Sequence, residues 1–162
     1  MLYLLLGSNL ENRTQHLQNA CTLIEQKLNP IHKKSSIYET APWGNTQQPA
    51  FLNQALALNT SLPPTQILDT LLSIETQMGR VRTQKWESRM IDIDILLYNQ
   101  QIVQSQFLTI PHPYLHLRRF ALVPLLQIVE PNFLHPIYNT SIAQLLQNCP
   151  DTLPVTPYKL SL

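Results

Sequence analysis

Glycine, cysteine and charge are all scarce in this chain: of 162 residues, three are glycine and two are cysteine, and 13% are charged, with a formal net charge of +1. Each shortage removes a class of function. The glycine in Gly7-Ser8-Asn9 stands alone, so the spacing of a P-loop or of a dinucleotide fingerprint is missing, and Gly7 is expected in a tight turn from strand to helix. Cys21 and Cys149 lie far apart with no CxxC spacing, which argues against a zinc site or a disulfide framework and fits two reduced thiols. A net charge near zero argues against a general nucleic-acid or membrane-surface binder, which needs a basic excess to neutralise phosphates. No apolar run approaches the ~20 residues that cross a bilayer. The stretch Met1 to Gly7 has no basic region ahead of its short apolar run, so it reads as a first strand and not as a signal peptide. A cytoplasmic, soluble protein is expected.

What is present is enough apolar residue, 44% of the chain, for one compact domain spanning residues 1–162. Leu2 to Leu6 reads as a strand. Leu17, Ala20, Cys21, Ile24 and Leu28 recur at helical spacing, and Asn29-Pro30 ends that helix. His32 to Tyr38 reads as a second strand, followed by a Pro- and Gly-containing loop from Ala41 to Pro49, and Phe51 to Leu58 as a third strand. Pro63 and Pro64 suit the first turn of a helix whose buried stripe is Ile67, Leu71, Ile74 and Met78, with Gly79 as its stop. A basic run follows, with Arg80, Arg82, Lys85, Trp86 and Arg89, and leads into a strand from Ile91 to Tyr98. Asn99-Gln100 is read as turning that strand back through Gln101 to Val103. Leu115 to Ile128 and Ser141 to Leu146 read as helical, and the tail from Thr152 is left unassigned. This order matches a split βαβ arrangement, an antiparallel sheet with helices on one face.

The sharpest chemical signal is Ile91-Asp92-Ile93-Asp94-Ile95. Side chains two apart on a strand share a face, so the isoleucines point one way and both aspartates the other. Neighbouring carboxylates repel unless one is protonated or a cation lies between them. Hard oxygen ligands with no histidine or cysteine cluster nearby point to magnesium bridging to phosphate. A bare pair of aspartates is most often a solvated strand face, and the context decides against that here. Five of the six arginines, Arg80, Arg82, Arg89, Arg118 and Arg119, surround this strand in sequence, and guanidinium groups grip phosphate oxygens in pairs. Trp86 is hard to explain in a merely wet loop. His112, between Pro111 and Pro113, sits on stiffened backbone. Asn53 in a strand is an unusual core residue unless its amide is satisfied, and with Trp43, Phe51 and Phe120 it can read the polar edge of a flat heterocycle. No residue stands out as a general base.

Motifs in order through residues 2–130 resemble the 6-hydroxymethyl-7,8-dihydropterin pyrophosphokinase family. They are Leu6-Gly7-Ser8-Asn9-Leu10, Ser35 to Pro42, Phe51-Leu52-Asn53, Ile74-Glu75, Gly79-Arg80-Val81-Arg82, Ile110-Pro111-His112-Pro113 and Arg118-Arg119-Phe120. The most specific is Arg89-Met90-Ile91-Asp92-Ile93-Asp94, which looks like that family's RxxDxD signature. The resemblance implies a ferredoxin-like α+β fold and transfer of a diphosphate from ATP, the co-substrate, to the pterin hydroxymethyl group in folate synthesis. It implies two magnesium ions on Asp92 and Asp94, with Arg80 and Arg89 catalytic. ATP would meet Glu75, Arg82, Lys85, Arg89, Ile95, His112 and Arg118. The pterin would meet Thr40, Ala41, Pro42, Trp43, Phe51, Asn53, Trp86 and Phe120. Small-molecule substrates, no nucleic acid, no membrane and a monomer are expected. Glu87 stands where the family commonly has glycine, the loop between Arg82 and Trp86 is one residue shorter than in some relatives, and Phe107 stands where some members have an arginine near ATP. No role is carried onto Phe107. The alternatives are a split-βαβ nucleic-acid-binding module, for which the sheet lacks an RNA-binding aromatic signature, and a catalytically silent relative that binds nucleotide.

Overall fold

The computed structural model describes residues 1–44, 46–79 and 90–159. Its centre is β1 (Leu2–Ser8), buried along its whole length. Leu2, Leu4 and Leu6 face one apolar core, while Tyr3 and Leu5 face a second. A strand that is apolar on both sides needs cover on both. On the first side lie α1 (Arg13–Lys27) and α2 (Pro64–Gln77), and on the second α3 (Arg119–Ile128) and α4 (Ile142–Gln147). Helices therefore cover both faces, where the sequence pattern suggested one.

The helix ends follow local chemistry. Asn12 caps α1 by accepting the amide of Gln15, and Ser141 and Gln144 form a reciprocal capping box on α4. Pro64 opens α2, whose first amide needs no partner inside the helix, and Gly79 follows its end at a positive φ of 89°.

The main sheet runs β5 (Asp92–Tyr98), β1, β4 (Phe51–Leu58), β3 (Tyr38–Thr40), β8 (Val155–Pro157), with β2 (Ile31–Lys34) also beside β4 and all pairings antiparallel. This is the split βαβ order of an α+β fold. The run expected as one strand from His32 to Tyr38 is split into β2 and β3. Ser35 causes the break: its hydroxyl accepts the amide of Ala55 at 2.9 Å and donates to Ser36 O at 2.7 Å, taking over a position that backbone would fill in a continuous strand. The unassigned tail supplies β8, which pairs with β3 and is tied on by Tyr158 N donating to Ile37 O at 2.8 Å.

Two departures from regularity prepare the functional region. The pairing of β5 with β1 shifts register between Tyr3 and Leu4, leaving Leu96 without an opposite residue. This bulge keeps Ile93 and Ile95 in the first core while both Leu96 and Leu97 enter the second. Beyond β5 the chain does not turn back onto it. It forms a separate hairpin of β6 (Val103–Gln104) and β7 (Thr109–Ile110). The expected helix from Leu115 is likewise divided, into a short 3-10 turn (Leu115–Leu117) and α3, with Arg118 extended between them at φ −118° and ψ 95°. No helix among the described residues is long and apolar enough to cross a membrane.

Candidate active site

A cleft of about 610 Å³ lies over the edge of β5. Its floor is set by β1 and β4. Gly7 falls inside β1 and not in the following turn, so the tight turn expected there begins later. A Cβ at Gly7 would lie 3.2 Å from Asn53 Oδ1 and 3.7 Å from Phe51 Cδ1. The absence of a side chain at Gly7 is what leaves room for both.

Asn53 is 3% exposed, so its amide needs partners. One comes from the neighbouring strand: Asn53 Nδ2 donates to Thr40 Oγ1 at 2.7 Å, which fixes the orientation of the amide. Thr40, Ala41, Pro42, Trp43, Phe51, Asn53 and Phe120 all line this end of the cleft. It combines flat rings with a polar edge held in one orientation.

Asp92 and Asp94 alternate with buried Ile91, Ile93 and Ile95, as the pattern predicts, and both open into the cleft. Glu75, reaching from α2 and 3% exposed, accepts the amide of Ile93 at 2.8 Å, so the peptide between the two aspartates is held from outside the sheet.

His112 is brought to the aspartates by the bulge: its amide donates to Leu96 O at 2.9 Å, docking the Pro111 to Pro113 segment onto the edge of β5. Burial and the Arg118 charge lower the His112 pKa to about 4, with Asp92 opposing the shift, so the ring is neutral at pH 7. Its Nδ1 accepts the amide of Tyr114 at 3.1 Å, which puts the ring proton on Nε2. Arg118 Nη1 lies 3.4 Å from that Nε2. Two donors side by side cannot satisfy one another, and together they present a place for a shared anionic acceptor.

Arg118 is held for this task by aromatic rings. Its guanidinium carbon lies 4.8 Å from the ring centroid of Trp43, 5.3 Å from that of Tyr114 and 5.6 Å from that of Phe120, while Nη1 is 3.8 Å from Asp94 Oδ2. Arg119, its neighbour in sequence, is not among the lining residues; its amide donates to Asp151 Oδ2 at 3.1 Å at the start of α3.

Glu75, Asp92, Asp94, Ile95, His112 and Arg118 therefore share one cleft with the ring-lined end. Arg80, Arg82, Lys85, Trp86, Glu87 and Arg89 lie outside the described residues. Sequence reasoning missed Gly7 as a floor residue, Tyr114 as a cover for Arg118, and the wall made by Leu68, Leu72, Ser105, Gln106, Leu108 and Thr109. Tyr114 had a weak signal in its place beside His112, and Phe107 on the same wall had one in standing where some relatives have an arginine near ATP; the rest of the wall had none, because residues far apart in sequence supply it.

Among the described residues no group of three or more His, Cys, Asp or Glu side chains is placed to hold a metal. Two carboxylates facing an anion-binding wall nevertheless suit magnesium, which keeps several waters and takes one or two protein carboxylates together with substrate phosphates.

The sequence comparisons agree on one family. A family model described as 7,8-dihydro-6-hydroxymethylpterin-pyrophosphokinase matches residues 3–130. A protein of Aquifex aeolicus named 2-amino-4-hydroxy-6-hydroxymethyldihydropteridine pyrophosphokinase is 41% identical over 143 residues, 88% of this chain and 88% of its own length. The protein of that name from Haemophilus influenzae is 42% identical over 129 residues, 79% of this chain and 81% of its own length. In structure, the chain superposes on Plasmodium falciparum HPPK-DHPS with a TM-score of 0.76 and 18% identity, covering 91% of this chain. It spans 44% of that longer chain, and the likeness there is one of fold.

Proposed function

The chain belongs to the 7,8-dihydro-6-hydroxymethylpterin-pyrophosphokinase family, and from that premise we propose how its cleft carries out the reaction. The protein is a diphosphokinase of folate biosynthesis with ATP as co-substrate. The hydroxymethyl oxygen of 6-hydroxymethyl-7,8-dihydropterin attacks the β-phosphorus of ATP, the bond from that phosphorus to the oxygen of AMP breaks, and the hydroxyl proton is released. The products are the pterin diphosphate and AMP.

The observation that carries this reading is the position of Asp92 and Asp94. They open into a cleft with the ring-lined, amide-edged pocket of Thr40, Phe51, Asn53 and Phe120 at one end and the paired donors of His112 and Arg118 beside them. The pterin is assigned to the ring-lined end, where Asn53 meets its polar edge and Ala41, Pro42 and Trp43 close over it. Gly7 admits the ring by leaving the floor bare. Neutral His112 and cationic Arg118 hold phosphate oxygens, and Ile95 and Glu75 belong to the nucleotide side. The resemblance assigns Arg80, Arg82, Lys85 and Arg89 to the phosphates and Trp86 to the pterin.

Asp92 and Asp94 would hold two magnesium ions, which when bound neutralise charge on the phosphate oxygens. The work of the chain's own residues is positioning and electrostatics. The aromatic clamp on Arg118 fixes a cation where charge spreads over the transferring group, and the Glu75 to Ile93 bond keeps the strand between the aspartates straight. No described side chain is assigned as general base.

We infer a monomer, with all the described lining residues supplied by this chain, and one domain over residues 1–162, with β8 pairing onto β3. A cytoplasmic location, with no nucleic-acid or membrane partner, suits the near-neutral charge. The test is direct: purified protein with ATP, magnesium and 6-hydroxymethyl-7,8-dihydropterin should release AMP and pterin diphosphate in equal amounts. AMP release that ignores the pterin, or no AMP at all, overturns the reading.

A further inference from the structure

We propose that Arg13 is a positioning residue for the pterin: it clamps the mouth of the loop 41–50, which brings Ala41, Pro42 and Trp43 to the ring-lined end of the cleft. The inference rests on the reading of that end as the pterin site of a diphosphokinase.

Arg13 is the one arginine that stands apart in sequence from Arg80 to Arg119, and it does not line the cleft. It opens α1, where the cap at Asn12 fixes the turn from which it projects. Its Nη1 donates to Ala50 O at 2.8 Å and lies 2.7 Å from Glu39 Oε1. These two partners stand on opposite sides of one opening. Thr40 and Phe51 form the last pair of the β3–β4 ladder; Glu39 precedes Thr40, and Ala50 precedes Phe51. A single nitrogen thus bridges the two strands where the loop leaves them. Side chains alternate along a strand, so Glu39 turns away from the cleft that Thr40 lines, and the clamp works from behind the site. The C-terminal segment backs it: the guanidinium carbon of Arg13 lies 5.7 Å from the ring centroid of Tyr158, whose amide is tied to Ile37 O at 2.8 Å.

The side chains of Arg13 and Glu39 are 23% and 41% exposed, and an ion pair so open to solvent contributes little to global stability. Its effect is local. Charge-assisted bonds to both sides of the opening restrict the loop before substrate arrives, and ordering already in place is not charged against binding. The pterin meets residues of this loop, so its affinity depends on the clamp. The nucleotide side is buffered, because Arg118 keeps the rings of Tyr114 and Phe120 when Trp43 loosens.

The experiment compares wild type, Arg13→Met and Arg13→Lys by AMP release, urea denaturation and fluorescence. Methionine keeps an apolar stem against Tyr158 and removes the donors; lysine returns one cationic nitrogen, which is all that the two contacts use. Arg13→Met is expected to raise the KM for the pterin about fivefold, the scale of one net hydrogen bond, with the KM for ATP and the urea midpoint little changed. Arg13→Lys is expected to restore the wild-type KM. In a Trp86→Phe background Trp43 is the one tryptophan, and acrylamide should quench it more readily in Arg13→Met than in the parent. An unchanged pterin KM or unchanged quenching in Arg13→Met overturns the proposal. So does a joint rise in both KM values with a lower urea midpoint, which marks general loss of structure, or a lysine variant that behaves as methionine. If wild type itself shows no pterin-dependent AMP release, the diphosphokinase reading fails and the inference falls with it.

Discussion

Glu75 on α2 accepts the amide of Ile93 on β5 at 2.8 Å, and Ile93 is the residue between the two aspartates of the cleft. A buried carboxylate from the helix layer thus closes the outer edge of the strand on which the acidic pair stands.

Replacing Glu75 with alanine leaves that amide without its side-chain acceptor and should lower stability by about 1–3 kcal/mol, the usual result of orphaning a buried donor. Glu75→Gln keeps an acceptor oxygen and should lose less. Urea denaturation of the three proteins checks the order; an alanine variant as stable as wild type would show that the bond contributes nothing.

Asp94 faces the cleft 3.8 Å from Arg118 Nη1. Asp94→Ala should reduce AMP release by roughly a hundredfold or more, the scale expected when a group that stabilises transition-state charge is lost, while circular dichroism stays that of the folded protein. Near-normal turnover of the purified variant contradicts the assignment.

Gly7→Ala puts a methyl group 3.2 Å from Asn53 Oδ1. The amide must shift, and because it is tied to Thr40 the shift falls on the pterin end. The KM for the pterin should rise several-fold with that for ATP little changed. An equal rise in both would point to a general loss of structure.

His135 has its pKa lowered from 6.5 to about 4 by burial and by the neighbouring His116. Its Nδ1 accepts the amides of Ile137 at 3.3 Å and Tyr138 at 3.4 Å, an arrangement that a proton on Nδ1 would destroy. Between pH 6.5 and pH 4 the unfolded chain binds a proton that the folded chain refuses, so stability is lost as pH falls through that window. His112, also lowered to about 4, acts in the same direction. His135→Asn retains a carbonyl oxygen for the two amides and removes the titration. Denaturation midpoints at pH 7 and pH 4.5 should differ less for His135→Asn than for wild type, and identical differences would remove His135 from the account.

The parts of this protein legible in its sequence are those that depend on neighbours along the chain. The alternation of Ile91, Asp92, Ile93, Asp94 and Ile95 places both carboxylates on one face because strand geometry has a period of two, and the periodic stripes of α1 and α2 are equally local. Even the motifs that resemble the pyrophosphokinase family are short local runs. The split of one expected strand at Ser35 was not legible, because it depends on a hydroxyl meeting Ala55 across the sheet.

The sequence by itself determined the chemistry on offer: a paired acid strand, a set of arginines, a proline-flanked histidine and a few flat rings. Only the tertiary structure decided which of these meet. It chose Arg118 over Arg119 by a break between two helical segments, brought His112 to β5 through the carbonyl exposed at a bulge, made Gly7 a floor, and stood Phe107 on the cleft wall. The physical reason is that alternation and helical period follow from backbone geometry within a few residues. Contact between β1, β4, β5, α2 and the β6–β7 hairpin follows only from burying two cores against a shared sheet.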